Sequence, residues 1–148
     1  MKDRFTAGAL AGIAGAVIQD LYSFIIESQG IANRSFSDFG RIMVMLKPYG
    51  GTLASIVGFI SHITVGILFG ILFAYIILKT SDKYYLTKGF IYGLALWFLL
   101  LGFGTMWRLP MWTNVPPPTS LAILIGSIIY GLVTAYTLKL LERRTKLL

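Results

Sequence analysis

The chain has 148 residues, 56% of them apolar and 13% charged, against roughly 45–50% and about 25% in a soluble domain. That composition excludes an ordinary water-soluble domain, and four spans of about 20 residues each leave only short loops and tails. The absence of Cys excludes disulfides and thiolate chemistry. The net charge of +7 falls between apolar runs rather than on a soluble face, so it speaks for membrane orientation and against nucleic acid.

The first span covers about residues 6–27, is rich in Gly and Ala, and carries Gln19 and Asp20. Lipid cannot hydrogen-bond a bare backbone, so this span and the others are helices. A signal peptide after Met1-Lys2-Asp3-Arg4 is the alternative, disfavoured by those two polar residues; its cleavage would leave three spans.

In the following loop Ser37 and Asp38 read as a helix start, and Phe39, Ile42, Met43 and Leu46 recur at helical spacing before Lys47-Pro48 stops the run. A short amphipathic helix is expected there, lying in the interface with Arg41 and Lys47 turned to headgroups. The rival posture is a lid packed over the bundle. Asn33-Arg34-Ser35 matches a glycosylation acceptor, a triplet common by chance.

The second span, residues 52–78, carries Ala54, Gly58, His62, Gly66, Gly70 and Ala74, a small residue at nearly every fourth position with one histidine among them. The first span carries Gly8, Gly12, Ala16 and Asp20 on the same spacing. Such ridges let helices approach closely in lipid, within the chain or between copies. The third span, residues 88–106, offers only Tyr92 as a polar side chain between its glycines. After it, Pro110 and Pro116-Pro117-Pro118 stiffen a connection and start the fourth span, residues 119–141. There Gly126 and Tyr130, and the stripe Ser127, Gly131 and Ala135, extend the packing pattern.

Placing the N-terminus inside sets Lys2, Arg4, Lys79, Lys83, Lys88, Lys139, Arg143, Arg144 and Lys146 on the inner side. Only Arg34, Arg41, Lys47 and Arg108 fall outside, so both termini are expected in the cytoplasm. Tyr22, Trp107 and Trp112 are expected at the outer interface and Tyr84, Tyr85 and Tyr136 at the inner one, with Trp97 mid-span.

A weak internal repeat is visible. Thr6, Gly8, Gly12 and Ala14 match Thr87, Gly89, Gly93 and Ala95 at one offset, and Gly70, Ala74 and Tyr75 match Gly131, Ala135 and Tyr136 at another. Two helical hairpins of one ancestry, related by an axis along the membrane normal, would give this pattern.

Asp20 and His62 are ionisable residues well inside spans, where an unpaired charge costs at least a few kcal/mol. Asp20 lies about 21 Å beyond Thr6 and His62 about 15 Å beyond Thr52 at 1.5 Å per residue, within about a turn of each other in depth. The expectation is that Asp20, with Gln19 and either Ser61 or Ser127, pairs with His62 inside the bundle. Such a pair fixes helix register, or serves as a protonation site in a proton-linked transporter.

Other chemistry lacks its parts. Two-His haem needs a second His, zinc and di-iron sites need more ligands, and Ser61 and His62 point about 100° apart on a helix. Phosphate-cradling glycine loops are missing, since the glycines lie in apolar helices. No metal or cofactor is expected.

The segments Lys47-Pro48-Tyr49-Gly50-Gly51-Thr52-Leu53-Ala54-Ser55 and Lys88-Gly89-Phe90-Ile91-Tyr92-Gly93-Leu94-Ala95-Leu96-Trp97 resemble the YqhR-type conserved membrane proteins of spore-forming bacteria. The resemblance implies four helices in a bacterial cytoplasmic membrane and brings no activity and no functional residues. The expected protein is an all-α, four-helix membrane bundle of noncatalytic interaction or assembly function, in contact with lipid, a second copy or another membrane protein. The alternative is a small proton-linked transporter or channel subunit using Asp20 and His62.

Overall fold

The structure, a computed structural model, describes residues 3–81 and 83–144, the side chain of Arg144 excepted. Lys2 and Lys146, counted above on the inner side, lie outside the described residues. Among those described there are five helices and no strand: α1 (Arg4–Ser28), α2 (Phe36–Met45), α3 (Thr52–Thr80), α4 (Tyr85–Met106) and α5 (Pro117–Arg144). Four of them, α1, α3, α4 and α5, are long and apolar enough to cross a membrane.

Local chemistry sets the helix ends. Asp3 caps α1 by accepting from the Thr6 N–H at 2.9 Å. The proline run opens α5 at Pro117, where an N–H would have no intrahelical partner, and Ser120 N–H donates to Pro116 O at 2.9 Å. The α2–α3 connection turns at Leu46 (φ 58°) and Gly51 (φ 93°). The latter favours glycine because a Cβ disfavours positive φ.

Glycine contacts bind the helices into antiparallel pairs. Between α1 and α3, a Cβ on Gly70 would lie 2.5 Å from Gly12 Cα, and one on Gly8 2.6 Å from Ile71 Cα. Between α4 and α5, a Cβ on Gly89 would lie 2.6 Å from Ala135 Cβ, and one on Gly93 2.8 Å from Ile128 Cα. The two pairs are equivalent under the internal repeat: Gly8 faces Gly70 and Ala74, and Gly89 faces Gly131 and Ala135. Helix α1 also packs on α5, where a Cβ on Gly15 would meet the Tyr130 ring at 2.9 Å.

The small-residue ridges are therefore used largely inside the chain. Gly8 and Gly12 face Gly66 and Gly70, Ala16 meets Gly66, and Gly131 meets Gly89 and Gly93.

Helices α3 and α4 form the remaining seam, and no glycine ridge joins them. They are bridged by Phe73 against Tyr92, with ring centroids 5.0 Å apart, and by the Tyr92 hydroxyl donating to Phe69 O at 2.8 Å. The repeat explains the difference. Where α1 presents Ala11, Gly15 and Gln19 to α5, the matching positions of α4 are Tyr92, Leu96 and Leu100. Where α5 presents Gly126, Tyr130 and Thr134, the matching positions of α3 are Val65, Phe69 and Phe73. Bulky side chains on both helices hold this seam wider.

Three expectations are corrected. Helix α2 starts at Phe36 with Ser35 as its N-cap, and Asp38 is the third helical residue, accepting from Ser35 N–H at 3.0 Å. The helix packs on α3: Phe36, Phe39 and Ile42 are buried, and Arg41 turns onto Asp38 at 2.5 Å. Met43 and Leu46, the other half of the expected apolar stripe, are exposed. Trp112, expected at the outer interface, is 1% exposed beneath α2, edge-on to Phe39 with centroids 4.9 Å apart. Tyr85 is likewise buried, its hydroxyl donating to Glu142 at 2.9 Å, whereas Tyr84, Tyr136 and Trp107 are exposed. Trp97 donates its ring N–H to Ser120 O at 3.1 Å.

Candidate functional site

The polar centre lies where α1, α2 and α3 meet. Four-residue spacing keeps Asp20 on the ridge that also carries Gly12 and Ala16, and it keeps His62 in line with Gly58 and Gly66. The close approach that those glycines allow brings the two side chains together. His62 Nδ1 lies 2.8 Å from Asp20 Oδ1, at ion-pair distance but outside the alignment of a well-formed hydrogen bond.

Helix α2 completes the centre from its first turn. Ser37 Oγ donates to Asp20 Oδ1 at 2.8 Å. The Phe36 ring stacks on the His62 ring with centroids 6.1 Å apart and on Trp112 at 6.2 Å. This contact is possible because Gly58 leaves α2 room: a Cβ there would lie 2.6 Å from Ser37 O. A Cβ on Gly40 would in turn lie 2.9 Å from Ser61 Cβ.

Of the residues named from sequence, Asp20 and His62 are brought together and the two serines are not. Ser61 Oγ donates to Val57 O at 2.7 Å and Ser127 Oγ to Ile123 O at 2.9 Å, each closing a bond to its own helix one turn back. Gln19 is 3% exposed and hydrogen-bonds no described residue. It lines a cavity of about 40 Å³ with His62, Ser127 and Tyr130. In the second hairpin the positions matching Asp20 and His62 are Leu101 and Ile123, so the polar centre belongs to the first hairpin alone.

On the other side of the pair a groove of about 470 Å³ runs between α1, α2 and α3. Asp20, Glu27, Asp38 and Arg41 line it. Asp20 Oδ2, Glu27 Oε1 and Arg41 Nε are enclosed there without a hydrogen-bond partner among the described residues. Sequence reasoning missed Ser37, taken for a helix cap, and the inward turn of Arg41. The three-residue spacing of Asp38 and Arg41 was the available signal for the latter, since such residues are neighbours on a helix.

A serine, a histidine and an aspartate meet here, but their wiring differs from that of a hydrolase. In a catalytic triad the serine hydroxyl bonds to imidazole and the carboxylate orients that imidazole. Here the Ser37 hydroxyl donates to the carboxylate itself. Among the described residues no group of three or more His, Cys, Asp or Glu is placed to hold a metal ion. What the centre offers chemically is one carboxylate beside one imidazole.

No curated protein and no solved structure matches the chain. A family model matches residues 2–148, and the chain belongs to that family, a family of unknown function (DUF6789). The match assigns neither an activity nor the YqhR-type kinship that two segments suggest.

Proposed function

We propose that the chain is a noncatalytic interaction or assembly protein of a bacterial cytoplasmic membrane, crossing it four times with both termini in the cytoplasm. The observation that carries this reading is the use made of the Asp20–His62 contact: with Ser37 and Phe36 it fastens α2 to α1 and α3. Towards the end of the bundle that holds the chain termini, the interior closes. Phe73, Ile77, Ala135 and Leu138 form an apolar cluster there. A conducting path needs polar groups free to pass protons from side to side, and beyond the pair Tyr130 and Tyr92 spend their hydroxyls on the backbone carbonyls of Gly66 and Phe69. Its partners are the lipid bilayer and either a second copy or another membrane protein.

The experiment is proton and ion flux into liposomes holding the purified protein under an imposed pH gradient. Wild type is expected to be no leakier than empty liposomes. Flux that Asp20→Asn and His62→Ala both abolish while the protein stays folded would replace this reading with proton-linked transport. One observation favours that second reading: the groove carries Glu27, Asp38 and Arg41 up to the buried pair from one side.

A further inference from the structure

The wider α3–α4 seam is not filled by protein. Beneath α2 it opens sideways as a groove of about 480 Å³, lined almost wholly by apolar side chains including Met43, Leu68 and Phe103. The groove adjoins the inner cavity of about 40 Å³, since Phe39, Gly40, Val65, Phe69 and Leu100 line both. Those shared side chains are what stands between the outer apolar groove and the polar end wall of the inner cavity.

The polar groups of that end wall are unequally used. Tyr130 donates its hydroxyl to Gly66 O at 2.6 Å and Ser127 donates to Ile123 O, so their protons are committed. His62 faces Asp20. The Gln19 amide, 97% buried, has neither its donors nor its acceptor used by any described residue, and a buried amide without a partner costs about 1–3 kcal/mol. A cavity of this size holds water or a few ligand atoms. It has no room for a phosphodiester headgroup, and a carboxylate would be brought close to Asp20.

We propose that the α3–α4 seam is a lateral binding site for a single-chain lipid with a small uncharged head, a hydroxyl or a carbonyl. The chain lies in the groove under α2 and the head hydrogen-bonds Gln19 beside His62. This goes beyond the noncatalytic reading and rests on it, because the lipid is held and not transformed.

The test uses the full-length protein in nanodiscs with a diazirine-bearing hexadecanol, photolysis and peptide mapping. Labelling is expected to saturate, to fall on α2, α3 and α4 around Val65, Phe69 and Leu100, and to be competed by hexadecanol far better than by hexadecane or hexadecyl phosphate. Gln19→Met should weaken binding about tenfold, the loss of roughly one hydrogen bond, and Val65→Trp should abolish it by filling the groove. Unsaturable labelling spread over outward faces such as Phe98 and Leu99, or hexadecane competing as well as hexadecanol, would overturn the site. The competition result decides the matter even if Gln19→Met fails to fold. Recovery of a chemically altered probe would leave the site standing and refute the noncatalytic reading instead.

Discussion

The α1–α5 and α3–α4 seams occupy equivalent places in a bundle of two repeated hairpins, yet one is sealed and the other splayed. In the sealed seam Gly15 lets α1 reach the Tyr130 ring and Thr134. In the splayed seam the matching position is Leu96, with Phe69 and Phe73 at the positions that match Tyr130 and Thr134. Without a hydrophobic drive between helices in lipid, contact distance decides which seams close. A few side chains thus break the symmetry of the repeat and leave the α3–α4 seam open.

The largest effects should come from the ridges common to both hairpins. Gly70→Ala and Gly131→Ala each drive a Cβ into the backbone of the facing helix, at Gly12 and at Gly93. Each is expected to lose about 1–3 kcal/mol in unfolding titrations in bicelles, the usual cost of overpacking. Similar losses would support the equivalence of the hairpins, and a harmless substitution in either would break it.

The next effect separates the hairpins. A double-mutant cycle on Asp20→Asn and His62→Gln should show a coupling of about 0.5–3 kcal/mol, as contacting groups do. A cycle on the matching Leu101→Ala and Ile123→Ala, an apolar pair, tests whether the coupling belongs to the polar contact. Equal coupling in both cycles would remove the special standing of the Asp20–His62 centre.

Smaller differences sharpen the seams themselves. Tyr92→Phe removes the hydroxyl that bridges the splayed seam, at an expected cost of about 0.5–1.5 kcal/mol together with greater lipid access to Phe69. Tyr130→Phe, removing the hydroxyl bonded to Gly66 O, should cost a similar amount without opening the α1–α5 seam.

The smallest effect lies at the helix starts. The Thr6 hydroxyl and then its N–H, both donating to Asp3, hold that carboxyl below its ordinary value. A carboxyl whose pKa is depressed on folding contributes stability above its unfolded value, lost as pH falls through the folded one. Amide exchange in the first turn of α1 should therefore quicken on acidification, whereas α4, which starts at Tyr84 without a side-chain cap, should not respond in this way.

Much of this architecture was legible in the sequence because a membrane fixes helix length and forbids unpaired backbone. Depth arithmetic put Asp20 and His62 within about a turn, and the structure sets them 2.8 Å apart. What lay beyond reach was tertiary. Ser37 joins the pair because Gly58 admits α2 against α3, and Trp112 is buried because α2 covers it where it packs against Gly104 of α4. Neither follows from periodicity, which gives a helix its apolar face but not the surface that receives it. The splayed seam was hidden for a related reason: the repeat was read from residues that match, and the seam is set by those that differ.

The most direct test of the account compares the seams in a bilayer. The protein has no native cysteine, so a nitroxide can be placed singly at Val65, in the splayed seam, and at Gly126, its counterpart in the sealed one. High collision rates with lipid-dissolved oxygen are expected at 65 and low rates at 126. Equal protection at both positions, or the reverse order, would contradict the account.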